Sequence, residues 1–405
     1  MKSMIEAALF TPLRNGRWGL PMLFWGPPGV GKTEMIRQVC KAYGLYMEHL
    51  TPGERGEGAF GVTPVPLQNG HGLTITYPPP DWVHSLRENE EECGVVFLDE
   101  INTAPPALQP ALLGAIQERR IGGHQFNNHV RVVGATNPPN QSAGGWDIAP
   151  PVANRLGHIT WPAVDTQEWI NWLISDTTKV DLIESASVRE MRMLKEWPSF
   201  VSQARTEVAS FIQRKPGLLF KLEEGNHAWP SPRSWTNAVD ALASARFHKL
   251  NELEQQIFVS AFVGNAALEF FNWLVKQDLP NPYDILSEKI TWKPSKRKLD
   301  EVQAVLEGLT DIVVNHSVIP EALLVYWRTL EAVMTHCGED VVLKHVKAVT
   351  KNQANYFDIG PAKRVIARVG NVLEQLKPQA DQSQEYSTKT GRWTSKAPNI
   401  WNIKR

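Results

Sequence analysis

A glycine-rich loop between an apolar run and a helical pattern is the feature that most constrains the fold of this chain. The loop reads Gly26-Pro27-Pro28-Gly29-Val30-Gly31-Lys32-Thr33 and matches G-x-x-x-x-G-K-[ST] at every position. It follows an apolar run at 22–25 that is typical of a buried strand, and it opens a helical pattern over 32–43. Backbone N–H groups of such a loop can surround phosphate oxygens. We therefore expect a phosphate-binding α/β unit.

Two side chains of the loop suit a nucleoside triphosphate. Lys32 can neutralise the outer phosphates, and the hydroxyl of Thr33 can hold Mg²⁺. A chance glycine loop with a solvated lysine is the alternative, which the position between a strand and a helix disfavours. ATP and Mg²⁺ are therefore the expected cofactors.

A second apolar run, at 95–98, is followed at once by Asp99 and Glu100. Ligands of open α/β sheets bind at the carboxyl ends of the strands, where we expect these two carboxylates. We assign Asp99 to the Mg²⁺ shell and Glu100 to the general base that orients the attacking water. The alternative is capping of a helix start, since acidic residues favour that position and Pro105 and Pro106 follow. The phosphate loop makes the catalytic interpretation the stronger one.

A third run, at 130–136, ends before Asn137 and Pro138. An amide at this carboxyl edge can hold the lytic water. The alternative is a turn asparagine that precedes proline, which is a common local arrangement. Only the position after a third matching strand favours the functional assignment.

Strand and helix patterns alternate in the first part of the chain. Further strands are expected at 45–50 and 159–161 and a helix at 107–117, so this part should form a parallel sheet with helices on both faces. From about Thr166 onward the patterns are helical, and a second helical block is expected over 299–376. Prolines within 280–294 indicate a linker or an irregular connection.

The expected fold class is an α/β P-loop core with a parallel sheet, followed by an α-helical lid and a further mostly helical region. We place the nucleotide-binding domain at 1–165, the lid at 166–250 and a helical region of unknown role at 251–377. Residues 378–405 form a basic tail that we expect to be flexible. Its two Trp and five basic residues could instead stack on bases or dock on a partner: Lys389, Arg392, Trp393, Lys396, Trp401, Lys404 and Arg405.

Four stretches of the sequence resemble the MoxR-like branch of the AAA+ ATPases. They are the phosphate loop, the run from Asp99 to Gln109, the run from Gly134 to Pro138, and Asn154-Arg155-Leu156. The string Asp-Glu-Ile-Asn-Thr-Ala-Pro-Pro is the most specific of them. The similarity covers about residues 1–245, with order and spacing preserved.

The resemblance implies roles for three more side chains. Asn137 corresponds to the sensor-one residue, and Arg155 to the arginine finger offered to a neighbouring subunit. Arg233, within Ser231-Pro232-Arg233-Ser234-Trp235, is similar to the sensor-two arginine at the start of a lid helix. A guanidinium suits both arginine roles because it stays ionised and can stabilise spread phosphate charge. A surface or interface salt bridge is the alternative for each arginine.

Two insertions are also expected. β-prone runs on either side of Asn69-Gly70 predict one hairpin, and a second fits 119–126. In MoxR-like proteins such insertions face the central channel or the partner. His71 and His124 lie in these segments, but lone loop histidines are usually turn residues, so we expect no metal beyond Mg²⁺.

Composition limits the partners and the location. Lys and Arg total 42 against 43 Asp and Glu, so nucleic acid would need a local basic patch and is not indicated. Three scattered cysteines, Cys40, Cys93 and Cys337, argue against a secreted disulfide framework and suit the cytoplasm. The apolar runs are too short to span a membrane, so no membrane insertion is expected.

The leading hypothesis is an ATP hydrolase that remodels or activates a protein client. By resemblance it would be a chaperone-like homo-oligomer, a hexameric ring, whose partner often contains a von Willebrand factor A domain. One alternative is a nucleic-acid motor or defence-system ATPase, which the near-neutral charge disfavours. Another is a nucleotide-gated assembly switch, but the candidates Glu100 and Arg155 favour turnover.

Overall fold

The computed structural model of the protein describes residues 1–61, 63–70, 72–88, 93–138, 141, 145–174, 180–222, 225–277, 279–315, 319–352, 360–376, 384–387 and 392–395. The chain divides into two compact units, Met1–Tyr283 and Asp284–Arg405. Of the residues singled out above, these lie outside the described residues: His71, Lys389, Lys396, Trp401, Lys404 and Arg405.

The first unit combines strands and helices. Its strands are β1 (Met22–Trp25), β2 (Tyr46–Leu50), β3 (Val65–Asn69), β4 (Gly72–Thr76), β5 (Gly94–Leu98), β6 (Arg120–Ile121), β7 (His124–Gln125), β8 (Val130–Thr136) and β9 (Gly157–Thr160). Its α-helices are α1 (Lys2–Leu9), α2 (Lys32–Ala42), α3 (Pro52–Arg55), α4 (Asp81–Glu88), α5 (Gln109–Leu113), α6 (Pro150–Ala153), α7 (Thr166–Ile174), α8 (Ala186–Arg214), α9 (Pro232–Phe247), α10 (Glu252–Val263) and α11 (Ala266–Leu274). Shorter helical segments are Glu57–Phe60, Ile101–Thr103, Gly114–Glu118 and Pro216–Leu218.

Five strands form one parallel sheet in the order β2-β5-β8-β1-β9. Successive side chains of a strand point to opposite faces, so Phe24 and Phe97 join one core and Leu23 and Leu98 join another. Helix α2 contributes to the first core, whereas α4 and α5 contribute to the second. Helices therefore cover both faces of the sheet, and the predicted fold class is confirmed.

The predicted elements are present with small shifts at their ends. The last strand of the sheet, for example, is Gly157–Thr160 where we expected 159–161, and the helix expected at 107–117 is α5 continued by a π-helical turn at Gly114–Glu118. Both predicted hairpins are confirmed, because β3 pairs antiparallel with β4 and β6 with β7.

Helices α8, α9 and α10 pack together and against the sheet. Helix α9 begins with a capping box between Ser231 and Ser234, which satisfies backbone donors at the helix start. Phe258 and Phe262 of α10 and Phe270 of α11 are buried in the same core as Phe24. The predicted helical character after Thr166 is thus confirmed, and helices beyond residue 250 share the core of the first unit.

The second unit is mostly helical. Helix α12 (Pro282–Leu286) lies across the boundary between the two units. The α-helices that follow are α13 (Leu299–Asn315), α14 (Pro320–Cys337), α15 (Leu343–Asn352) and α16 (Gly360–Leu376), with short 3-10 helices at Lys296–Lys298 and Asp340–Val342. The tail expected to be flexible contains an antiparallel hairpin of β10 (Gln384–Ser387) and β11 (Arg392–Ser395). Within the described residues, no helix combines the length and apolarity that crossing a bilayer requires.

Helix α12 lies in the stretch that we expected to be irregular. It begins at Pro282, a residue that suits the first position of a helix because the missing N–H would have no intrahelical partner there. The side chain of Asn281 accepts a hydrogen bond from the Tyr283 N–H at 2.9 Å. Proline at this position therefore starts a short helix instead of preventing one.

A buried ion pair joins the sheet to α1 and α8. Arg131 of β8 is fully buried, donates from Nε to the Leu9 carbonyl at 3.1 Å, and bonds the Glu190 carboxylate of α8. His129 Nδ1 lies 2.6 Å from the other Glu190 oxygen, and Cys93 Sγ lies 3.5 Å from Glu190. Cys93, His129 and Glu190 are close enough to share a metal ion, but the Arg131 guanidinium already balances the only carboxylate of this trio. The group is therefore a structural ion pair.

Removing one partner of this pair should be costly. Glu190→Ala leaves the Arg131 guanidinium buried without a counter-ion, and we expect a loss of about 3–5 kcal/mol in the free energy of unfolding. Denaturant unfolding followed by circular dichroism measures it. As a control, Glu269→Ala breaks the exposed pair with Lys215 and should cost at most about 1 kcal/mol. Similar small losses in both variants would contradict a structural role for Glu190.

Candidate active site

The ammonium group of Lys32 lies where the carboxyl ends of β1 and β8 meet. Its Nζ donates to the carbonyl oxygens of Gly26 at 2.7 Å and Pro27 at 2.9 Å, and to Oδ1 of Asn137 at 3.0 Å. Burial lowers the pKa of Lys32, while the charges of Asp99 and Glu100 oppose that shift. The sheet thus brings together residues from three of the predicted motifs.

The phosphate loop has the backbone that its glycines require. Gly29 and Gly31 have φ of 80° and 86°, in the left-handed region that favours glycine. A Cβ built on either residue would meet no described atom within 4 Å, so the loop borders open space. Gly31 occupies the N-cap of α2 and has no side chain to cap it. The positive end of the α2 dipole therefore remains available to an anion.

Asp99 is held by three donors at the carboxyl end of β5. Oδ2 accepts from Thr33 Oγ1 at 2.7 Å and lies 3.1 Å from His49 Nε2, and Oδ1 accepts from the Glu100 N–H at 3.0 Å. Burial raises the pKa of Asp99, but the hydrogen bonds from His49 and Thr33 outweigh it, so the pKa is lowered overall. Asp99 is therefore ionised at neutral pH.

Glu100 has an unusual backbone for a glutamate, with φ of 50° and ψ of 46°. A non-glycine residue in the left-handed region costs of the order of 1 kcal/mol or more, and such strain occurs preferentially at functional sites. Glu100 occupies the N-cap of the 3-10 helix Ile101–Thr103, but its side chain makes no capping hydrogen bond and is exposed. This geometry favours the general-base interpretation over the cap.

The oxygens of Thr33 and Asp99 fit a magnesium ion. Mg²⁺ prefers hard oxygen ligands and is usually held by one or two protein groups together with phosphates and water. The Thr33 hydroxyl and an ionised Asp99 carboxylate lie together beside the phosphate loop, as such a site requires. When bound, the ion would neutralise phosphate charge.

Two residues of the site were missed from the sequence. His49 of β2 bonds Asp99 and stacks on Phe97 with ring centroids 5.2 Å apart, and Asn102 donates to the Asn137 carbonyl at 3.4 Å. His49 meets Asp99 only because β2 pairs with β5, a neighbour relation that no local signal predicts. Asn102 lies in the Asp-Glu-Ile-Asn string, so its position in that string was the available signal.

The two candidate arginines lie away from this group but close to each other. Arg155 follows α6 and donates to the Gln117 side chain and the Pro151 carbonyl. Arg233 is exposed in the first turn of α9. The N-cap residue of that helix, Ser231, donates to Oδ1 of Asn154 at 3.3 Å. The structure therefore brings Arg155 and Arg233 together, but not with Lys32.

A cavity of about 390 Å³ adjoins the first residues of the phosphate loop. Trp25 and His227 stack in its wall with ring centroids 4.3 Å apart, and Trp25 Nε1 donates to His158 Nδ1 at 3.0 Å. Burial lowers the pKa of His158 to about 4, so this ring is neutral at physiological pH. The cavity wall is thus aromatic and carries little charge.

A glycine loop at a helix start, with a lysine, an acidic pair and a polar residue on neighbouring strands, is typical of P-loop nucleotide hydrolases. Residues 22–144 match the AAA family (ATPase family associated with various cellular activities). These residues therefore contain an AAA ATPase domain.

Full-length relatives are only partly similar. The chain is 29% identical over 102 residues to the mitochondrial Lon protease homolog of Mus musculus and 28% identical to that of Homo sapiens. Each match covers 25% of this chain, which spans only about 10% of the length of these relatives. A solved structure of a candidate ATPase from Cytophaga hutchinsonii is 16% identical, with a TM-score of 0.40 over 75% of this chain and 87% of that one.

Replacing the lysine of the phosphate loop should remove nucleotide binding. In Lys32→Ala no other basic side chain of the loop can neutralise the outer phosphates, so we expect the loss of tight ATP binding. A binding titration with a fluorescent ATP analogue measures this. Near-wild-type affinity would contradict the assignment of Lys32.

Glu100→Gln should separate binding from hydrolysis. The variant keeps the shape and backbone of Glu100 but cannot accept a proton, so ATP should bind while turnover falls on the order of a hundredfold or more. Titration and steady-state phosphate release give the two quantities. If turnover stays at the wild-type level, the general base lies elsewhere and Glu100 acts only at the start of the 3-10 helix.

Proposed function

We propose that the protein is a MoxR-like, Mg²⁺-dependent AAA+ ATPase that works as a ring of identical subunits and remodels or activates a protein partner. The observation that carries the proposal is the cluster of Lys32, Asp99 and Asn137 at one sheet edge, beside a strained Glu100. By resemblance the ring is hexameric, and a protein with a von Willebrand factor A domain is the first partner to test. The three cysteines are free and buried, which suits a cytoplasmic location.

The proposed reaction is hydrolysis of the bond between the β- and γ-phosphates. Lys32 and the loop amides hold the phosphates, and Thr33 and Asp99 would hold Mg²⁺. Glu100 accepts a proton from water as the water oxygen bonds to the γ-phosphorus, and the bond to the β-phosphate oxygen breaks. Asn137 orients the water, and ADP and phosphate leave.

The first hairpin supports a protein client over a nucleic acid. Leu73 and Ile75 of β4 are 75% and 69% exposed, and Leu67 of β3 is 50% exposed. Neither strand contains Lys or Arg, so the hairpin offers no charge that could neutralise backbone phosphates. Leu73 and Ile75 lie on one face of the hairpin, since side chains alternate along a strand, and Leu67 lies on the other. Neighbouring exposed apolar side chains such as Leu73 and Ile75 are typical of a protein-binding surface.

The hairpin should matter for the client and not for basal catalysis. In the double variant Leu73→Ser and Ile75→Ser, ATPase activity without client should stay near wild type, because neither residue contacts the catalytic cluster. Client stimulation of ATPase activity should fall at least about tenfold with the purified partner. Leu253→Ser, which changes an exposed leucine of α10, is the matched control and should leave stimulation unchanged. Stimulation by DNA or RNA, with no effect of the hairpin variant, would favour the nucleic-acid alternative.

A further inference from the structure

We propose that Trp25 is a positioning residue for ATP hydrolysis: its side chain, held by His158 and His227, fixes the start of the phosphate loop. This inference rests on the proposed ATPase and concerns three residues outside the phosphate-loop motif. Trp25 acts through the backbone carbonyls that hold Lys32, so it is not itself a catalytic residue.

The phosphate loop begins with few backbone donors of its own. The Gly26 N–H donates to a carbonyl of β8 at 3.1 Å, but Pro27 and Pro28 have no N–H to donate. The carbonyls of Gly26 and Pro27 are the ones that accept hydrogen bonds from Lys32. The direction in which the chain leaves β1 therefore depends on how the last residue of that strand, Trp25, is held.

The indole N–H of Trp25 has a partner that depends on one tautomer of a histidine. Trp25 Nε1 donates to His158 Nδ1 at 3.0 Å, and His158 Nε2 lies 2.9 Å from the Ala153 carbonyl oxygen. A carbonyl can only accept, so Nε2 carries the hydrogen and Nδ1 remains an acceptor. Burial lowers the pKa of His158 to about 4, which keeps the ring neutral. The acceptor for Trp25 is therefore available at physiological pH.

One face of the indole is covered by His227. The ring centroids of Trp25 and His227 are 4.3 Å apart, and the ring planes make an angle of 15°. His227 also stacks on His158, with ring centroids 5.4 Å apart. His227 belongs to the segment 225–231 that leads to α9, so the stack joins this segment to the end of β1. The indole is thus held both at its N–H and on one face.

The first residues of the loop are packed closely enough to follow Trp25. A Cβ built on Gly26 would lie 2.6 Å from the Cβ of Trp161, so only glycine fits beside that side chain. The Trp161 N–H donates to the Trp25 carbonyl at 2.5 Å, and Pro27 lines the same cavity as the indole. A shift of the indole would therefore displace the two carbonyls that hold Lys32. Misplacement by about 1 Å can cost on the order of a hundredfold in rate.

Removing the indole N–H tests the positioning role. Trp25→Phe keeps an aromatic ring for the stack with His227 but loses the donor to His158, so kcat should fall about tenfold. The KM for ATP should change less than about threefold, because the loop still binds the phosphates while their alignment for attack is lost. Steady-state phosphate release over a range of ATP concentrations gives both quantities. An unchanged kcat would overturn the inference.

Substitutions at His158 separate the hydrogen bond from packing. His158→Asn keeps an acceptor oxygen close to the position of Nδ1, so kcat should stay near the wild-type value. His158→Leu removes the acceptor and should be as slow as Trp25→Phe. The double variant Trp25→Phe with His158→Leu should be no slower than the slower single variant, because both changes remove the same bond. Equal losses in His158→Asn and His158→Leu, or losses that multiply in the double variant, would overturn the inference.

The stack is tested separately at His227. His227→Phe keeps a ring against the indole and should keep kcat, whereas His227→Ala releases that face and should lower kcat several-fold. His227 is exposed and lines the cavity, so neither change opens a void in the core. Equal rates in these two variants would contradict the role of the stack.

A variant that only lowers stability is the matched control. Phe211 of α8 is fully buried and packs on Phe270 and Trp273, so Phe211→Leu should lower the Tm by leaving space in the helical core. Its kcat at 25 °C should stay near the wild-type value. If Phe211→Leu loses as much kcat as Trp25→Phe at a similar fall in Tm, the effect is one of stability and the inference fails.

The wild-type protein separates this inference from the proposed function. If it hydrolyses no ATP, the proposed function and the inference both fail. If it hydrolyses ATP in a way that depends on Lys32 and Glu100, while Trp25→Phe is as fast as the wild type, only the inference fails.

Discussion

Parallel pairing of the five strands is the constraint on which the rest of the structure depends. All strands run in the same direction, and helices cover both faces of the sheet. Polar groups can therefore lie together only in the loops at the carboxyl ends or at the amino ends of the strands. Near the carboxyl ends of the strands lie Lys32, Asp99 and Asn137, whereas Arg155 and Arg233 lie near the amino ends. One sheet therefore offers two different surfaces, one that can hold a nucleotide and one that carries two neighbouring arginines.

The bonding of Lys32 limits how a nucleotide can enter. An ammonium group has three N–H donors, and Lys32 uses them on the carbonyls of Gly26 and Pro27 and on the Asn137 side chain. A phosphate oxygen must therefore replace at least one of these partners. The two carbonyls belong to the loop that holds the phosphates, whereas the Asn137 amide can rotate. Exchange at Asn137 would free its amide to bind water next to the γ-phosphate.

Much of the site could be predicted from sequence because its signals are local. The glycine loop, the acidic pair after a buried strand and the Asn-Gly hairpin each lie within a few neighbouring residues. His49 could not be predicted, because its contact with Asp99 depends on β2 lying next to β5, which spacing along the chain does not determine. The position of Arg233 depends in the same way on the path of 227–231 along the sheet edge. The helix at Pro282 was missed for a different reason, since proline both breaks and begins helices.

The left-handed backbone of Glu100 allows two adjacent carboxylates, Asp99 and Glu100, to serve one site. In a continuing strand, successive side chains point to opposite faces, so Asp99 and Glu100 could not both serve one site. Asp99 points to Thr33 and His49, and the left-handed turn at Glu100 ends the strand at this point. The Asp99 carboxylate accepts a hydrogen bond from the Glu100 N–H. The hydrogen bonds with Thr33 and His49 fix Asp99 in turn. Hydrogen bonds thus hold the strained residue in place, and its side chain remains exposed, as a base that must reach a water molecule requires.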